Sequence, residues 1–192
     1  MKGKLELQPI FEIKKSWSRI WGYEVLYRGE IPNDLLFKVS NPAFEIELFK
    51  KELEATKEFD SILTFNLSLS TVINFSDEIE KFLKKRENIM LEITEIPYDV
   101  NFISISSLIK DRLIIDDFLK KGSGIDRLIE LKPFAIKVEK EFVSILNLNE
   151  LKSNFLVIIE RVENLQEIED LNGKADFFQG YVFKPYFLTI DL

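Results

Sequence analysis

An α/β fold of the (β/α)8 TIM-barrel type, with an antiparallel first strand, is what this sequence predicts. Three observations carry it. Eight short segments rich in Ile, Val, Phe and Leu recur along the chain, and helix-like stretches separate most of them. Only residues 14–21 lie between the first strand and the second. A parallel crossover needs a dozen residues or more, so those two strands should form a hairpin.

The predicted strands cover 5–13, 22–28, 62–67, 89–93, 112–116, 134–138, 155–160 and 177–183. Over 42–59 (PAFEIELFKKELEATKEF), Ile46, Phe49 and Leu53 fall at helical spacing. Phe44 and Leu48 widen that stripe, and charge fills the other face. The other predicted helices are 77–86, 100–110, 123–131, 140–152 and 164–171, with Ser76 and Ser123 as N-caps and Gly173 as a stop. Trp17 and Trp21 flank the first turn and should pack the N-terminal end of the barrel, while Phe177, Phe178, Tyr186 and Phe187 read as core and closing contacts. No Pro- or Ser-rich linker interrupts the rhythm, so 1–192 reads as a single domain. The barrel is small, since ~250 residues is typical and ~200 is near the floor. An open flavodoxin-like sheet is the rival fold, but it leaves strands without a place.

Composition removes whole classes of chemistry. Hydrophobic residues make up 46% of the chain, enough for one substantial core, and the mixed charges exclude a disordered polymer. A net charge of -7 and a pI near 4.9 argue against a nucleic-acid polymer or an anionic membrane as partner. No apolar run approaches the roughly 18–20 residues of a membrane span, and residues 1–7 do not read as a signal peptide, so a soluble cytoplasmic protein is expected. The chain has neither Cys nor His. Disulfides, thiolate or imidazole metal sites and Ser-His-Asp catalysis are therefore excluded. Acids, amides, hydroxyls and lysines must do any chemistry.

Nearly every predicted strand carries one such residue, mostly at its C-terminal end: Glu24, Asn66, Glu92, Asp116 with Asp117, Lys137, Glu160 and Gln179. For each alone, a polar residue where a strand meets solvent is the simpler reading. Together they would line the rim where barrel active sites are built. Clustered carboxylates repel unless a cation sits among them. Carboxylate and amide oxygens without His or Cys are the ligand set of Mg2+, Mn2+ or Ca2+, and two such ions form the usual clamp for attack on a phosphodiester. A Schiff-base role for the lone Lys137 is the rival chemistry.

In this order, the residues resemble the EAL-domain family, bacterial phosphodiesterases that linearise cyclic di-GMP. The resemblance runs from Leu7-Gln-Pro-Ile10 through Glu24-Val-Leu26-Tyr-Arg28, Asn66-Leu-Ser68, Leu91-Glu-Ile-Thr-Glu95, Asp116-Asp-Phe118, Ile136-Lys137, Glu160-Arg-Val-Glu163 and Gln179-Gly-Tyr181 to Lys184-Pro185. It implies that Glu24, Asn66, Glu92 and Asp116 hold a first Mg2+ or Mn2+ ion and that Asp116 bridges to a second, which Asp117 also holds. It implies that Lys137 and Glu160 position and deprotonate the attacking water with Gln179 nearby. Arg28 would meet a substrate phosphate, Gln8 would lie near a guanine, and Glu95 would brace the loop after the fifth strand. The family also implies a homodimer contact. Four departures stand out. Leu119-Lys-Lys-Gly-Ser-Gly124 replaces a Gly-rich loop, Arg161 and Glu139 replace a small residue and an Asp, and 29–65 is short. A catalytically silent module that binds cyclic di-GMP or a protein partner is therefore the second reading.

Overall fold

The structure, a computed structural model, describes residues 2–29, 41–93, 105–118 and 125–191. Its strands are β1 (Lys2–Lys14), β2 (Trp17–Arg28), β3 (Ile62–Asn66), β4 (Ile89–Ile93), β5 (Leu113–Ile115), β6 (Ala135–Glu139), β7 (Leu156–Glu160), β8 (Phe177–Gln179) and β9 (Tyr186–Asp191). They form one sheet in the order β2-β3-β4-β5-β6-β7-β8-β1-β9, and β1 also pairs with β2. That last pairing closes β1 to β8 into a barrel. β1 runs antiparallel to β2 and β8, as its short connection to β2 requires, while β2 to β8 run parallel.

Helices join the parallel strands: α1 (Pro42–Ala55), α2 (Leu69–Asn74), α3 (Ser76–Lys85), α4 (Ser107–Lys110), α5 (Ile125–Leu131), α6 (Leu148–Lys152) and α7 (Leu165–Leu171). Asn41 caps α1 by accepting the Phe44 N–H, and Pro42 follows at the first helical position, where its missing N–H costs nothing. At the other end, Arg86 donates to the carbonyls of Leu53 and Thr56, so α1 stops short of the predicted residue 59.

Several boundaries differ from expectation for local reasons. The predicted helix 140–152 splits into a 3-10 turn, Lys140–Phe142, and α6, because the Asn147 side chain accepts the Glu150 N–H and starts a new helix. Ser76 is the first residue of α3 and not its cap; Phe75 precedes it. α2 was not expected; Ser68 caps it by accepting the Thr71 N–H. Ser123 and residues 100–104 of the predicted helix 100–110 lie outside the described residues. The eighth strand ends at Gln179, four residues early. Gly180 there presses against the Val162 backbone, where a Cβ would stand 2.2 Å from the nitrogen. β9 is the ninth strand, pairing antiparallel with Lys2 to Leu7 of β1. Tyr186 and Phe187 consequently lie exposed on it and not in the core.

Two apolar layers result. Between barrel and helices pack Val25, Leu63, Phe65, Leu91, Ile115 and Val157 against Ile46, Phe49, Val72, Ile79 and Leu128. Inside the barrel, Ile10, Met90, Ile114, Ala135, Ile158 and Phe177 form a second cluster. Trp21 closes its lower end, stacked on Phe134 at 6.1 Å and tilted against Phe177 at 4.6 Å. Trp17, by contrast, is exposed beneath the Arg19 guanidinium. Among the described residues, no helix is long and apolar enough to cross a membrane.

One acid sits at odds with the outer layer. Glu52 on α1 is buried, and burial pushes its carboxyl from the ordinary 4.5 up to about 8. A carboxyl raised in this way stabilises the fold fully below the unfolded value and loses that contribution as the pH rises through 8. Glu52→Gln should therefore match the parent near pH 4.5 and exceed it above pH 8 by a few kcal/mol on the order-of-magnitude scale of such shifts. Urea unfolding of both proteins across pH 5 to 8.5 checks this; a constant difference would contradict it.

Candidate active site

Cross-strand register explains how the polar residues meet. Gln8 lies opposite Glu24, Glu24 opposite Thr64, Asn66 opposite Glu92, and Lys137 opposite Ile158. Neighbours in register share a face, and residues two apart on one strand do too. Glu24, Asn66, Glu92, Lys137, Glu160 and Gln179 therefore belong to the same inward face as the apolar cluster of Met90, Ile114, Ala135, Ile158 and Phe177. The barrel interior is apolar below and charged above.

Lys137 occupies the centre of the charged half, with 1% exposure. Its Nζ lies 2.7 Å from Glu92 Oε2, 2.9 Å from Glu24 Oε2, 3.2 Å from Glu160 Oε1 and 3.8 Å from Asp116 Oδ1. The chain thus supplies its own cation among the acids. Glu24 also accepts from Asn66 Nδ2 at 2.8 Å and from Gln179 Nε2 at 2.6 Å. Thr64, a buried hydroxyl that reads from sequence as an ordinary strand residue, donates to Glu92 Oε1.

The acids respond unequally. Burial pushes Glu24 up, but the Lys137 charge and the hydrogen bonds from Asn66, Lys137 and Gln179 outweigh it and hold the carboxyl below its usual range. Burial, reinforced by the Glu24 charge, drives Glu92 well above that range. Burial also raises Asp116, and it lifts Glu160 to about 8. Lys137 is pulled down by burial, yet its four acidic neighbours hold it well above the ordinary lysine value.

Asp116 and Asp117 follow β5 directly. The Asp116 N–H donates to Ile93 O, and the next buried residue, Phe118, donates to Lys137 O. Between these anchors Asp117 turns through φ 51°, a left-handed conformation that Asp tolerates better than most residues. The turn brings carboxylate oxygens of Asp116, Asp117 and Glu160 within 4.8 Å of one another. Such an oxygen cluster suits a hard divalent cation. The buried Glu92 Oε2, 2.7 Å from Lys137 Nζ, adds a further carboxylate oxygen next to that lysine.

Gln8 and Arg28 lie on the outer lip. Gln8 Nε2 donates to Glu6 Oε1 at 2.8 Å, Arg28 Nε to Glu6 Oε2 at 2.7 Å, and Gln179 Nε2 reaches Gln8 Oε1 at 3.3 Å. One polar chain therefore runs from Arg28 to the buried centre. Glu6 was not legible as a site residue, because an acid on a hairpin strand has the ordinary reading of a solvated edge. Glu45 was hidden likewise: it accepts from the Ser68 N–H at 2.9 Å and the Thr71 hydroxyl at 2.6 Å, bracing the turn just after Asn66. Glu95 and the loop 119–124 lie outside the described residues.

Removing the central cation should be severe. Lys137→Met leaves buried carboxylates without compensation, which costs about 3–5 kcal/mol at neutral pH. Those carboxyls then rise further in the folded state, so the deficit should shrink as the pH falls toward 4.5. Chemical denaturation in chelator at pH 7.5 and pH 5 measures it; equal stability of variant and parent at pH 7.5 would refute the account.

No family model matches the sequence, and no curated protein matches it. Solved structures do. Klebsiella pneumoniae BlrP1, in a calcium and cyclic di-GMP complex, superposes with a TM-score of 0.74 at 22% identity, covering 96% of this chain and 56% of its own. The Bacillus subtilis YkuI protein, which has an EAL domain and was solved with substrate cyclic di-GMP and calcium, gives 0.72 at 19% identity, with 94% and 55% covered. A standalone EAL protein from Vibrio cholerae O395, in its cyclic di-GMP-bound form, gives 0.64 at 26% identity, with 95% and 92% covered. The chain thus spans a little over half the length of the first two and nearly all of the third. Its closed barrel, with one strand against seven, has the fold of the EAL domain.

Proposed function

We propose that this chain is a divalent-metal-dependent phosphodiesterase that opens cyclic di-GMP to the linear dinucleotide pGpG. The observation that supports it most is the convergence of Glu24, Asn66, Glu92, Asp116, Asp117, Lys137, Glu160 and Gln179 on one end of the barrel interior. Its neighbours in fold carry cyclic di-GMP in their complexes.

Glu24, Asn66, Glu92 and Asp116 would hold one Mg2+ or Mn2+ ion, and Asp116 with Asp117 a second. Bound there, such ions neutralise charge on the phosphoryl oxygens and lower the pKa of water. The chain does the rest. Lys137 and Glu160, 3.2 Å apart, hold the attacking water, and Glu160 in its ionised form takes its proton. Gln179 and Asn66 fix the Glu24 carboxylate by a hydrogen bond to each oxygen, so that it needs little reorganisation. Arg28 binds a substrate phosphate from the lip, where its exposed guanidinium can exchange Glu6 for a phosphoryl oxygen.

The test is turnover of cyclic di-GMP with Mg2+ or Mn2+, read by separating cyclic from linear product. Linear product is expected, and Asp116→Asn should lower the rate at least about 100-fold, the scale of losing a few kcal/mol of charge stabilisation. Either ion should also raise the melting temperature of the parent more than that of the variant. Binding without turnover would leave the silent nucleotide-binding module; neither binding nor turnover would refute both nucleotide readings.

A further inference from the structure

Above the acidic centre a cavity of about 270 Å3 opens, with Glu6, Gln8, Glu160, Arg161, Gln179 and Tyr181 in its wall. Arg161 and Glu6 have no direct part in the hydrolysis proposed above, yet the fold builds both with care. Arg161 holds φ 60°, a left-handed backbone unfavourable for any residue with a side chain. Its Nε lies 2.6 Å from Oε1 of the buried Glu139, while the side chain remains 54% exposed at the cavity. The ion pair therefore sets the plane of a guanidinium that still faces outward.

Backbone bonds lock this arginine to its neighbour. The Val162 N–H donates to Gln179 O, and the Val182 N–H donates to Val162 O, both at 3.1 Å. Gly180 makes the crossing feasible, since a Cβ there would strike the Val162 backbone. Tyr181, 80% exposed, is carried by the same crossing and offers an aromatic face at the cavity.

Glu6 stands on the other side of the cavity, on β1. Its two oxygens accept from Gln8 and Arg28, and each retains a further lone pair. Only β8 intervenes between β7 and β1, so the two walls are about two strand spacings, ~10 Å, apart. That width suits a planar base held at both edges. Donors on one side and a carboxylate on the other match guanine. An arginine fork pairs with its O6 and N7, and a carboxylate accepts from its N1–H and N2 amino group. Adenine fails on both sides: its N6 amino group would face the arginine and its bare N1 the carboxylate.

We propose that Arg161, braced by Glu139, and Glu6 form a clamp that reads a guanine base of the bound dinucleotide. The clamp rests on the cyclic-dinucleotide reading given above. It makes Arg161 and Glu6 specificity-determining residues and Glu139 a positioning residue.

Calorimetric titration of the full chain with cyclic di-GMP and with cyclic di-AMP, in calcium, tests it. The parent should favour the guanine ligand by at least about 10-fold, the scale of one bidentate base contact. Arg161→Gly accepts φ 60° without strain; it should weaken cyclic di-GMP about 10-fold and leave cyclic di-AMP unchanged. Arg161→Lys keeps the charge but not the fork, and should lose the discrimination too. Glu6→Gln should narrow the ratio in the same direction. Equal weakening of both ligands, or a ratio unchanged in Arg161→Gly while cyclic di-GMP still binds, would overturn the clamp alone. A parent that binds no cyclic di-GMP would overturn the dinucleotide reading and the clamp with it.

Discussion

A lysine buried among four carboxylates is the constraint on which this barrel turns. Lys137 Nζ has two acids within 3 Å and two more within 4 Å, in an interior where an unpaired charge would cost several kcal/mol. Neither partner set is tolerable alone. The acids repel one another, and the ammonium has lost its water. Their strands must therefore be held at fixed heights and rotations, and closure of the barrel does this. A one-residue slip of β4 or β6 would turn Glu92 or Lys137 outward into the apolar layer.

That requirement explains the division of the interior. Below, Ile10, Met90, Ile114, Ala135, Ile158 and Phe177 fill space without polar atoms, and Trp21 closes the end. Above, the same inward positions carry charge. The apolar half supplies rigid walls and a low dielectric, which strengthens every interaction in the polar half. Hydrogen bonds then run outward from Glu24 through Gln179, Gln8 and Glu6 to Arg28, linking the buried centre to the lip. A ligand engaging the lip would touch groups whose orientation already depends on the centre.

Two of the three left-handed non-glycine residues among the described ones lie at this same end, the third being Lys132 ahead of β6. Asp117 and Arg161 both adopt left-handed φ, and Gly180 crosses Val162 where no side chain would fit. Each sits in a turn just beyond a strand. The regular barrel absorbs these costs and delivers the side chains to one mouth, a pattern expected where binding or chemistry sets the geometry.

Strand–helix alternation, the hairpin and the polar strand ends were legible because they are local. Apolar runs of strand length, the stripe of Ile46, Phe49 and Leu53, and the short 14–21 connection act within a few residues. The acid, amide and lysine set was legible for the same reason, as charge where an apolar strand should continue. What tertiary structure alone decided is partnership. That the cation balancing the acids is Lys137 itself depends on β6 facing β2 across a closed barrel. The run over 186–191 becomes a strand only by pairing with the beginning of the chain, far away in sequence. Glu6, Glu45 and Thr64 are ordinary surface or strand residues until folding brings Arg28, Ser68 and Glu92 beside them. Composition and period determine which elements form and which face is charged; register and closure determine which charges meet.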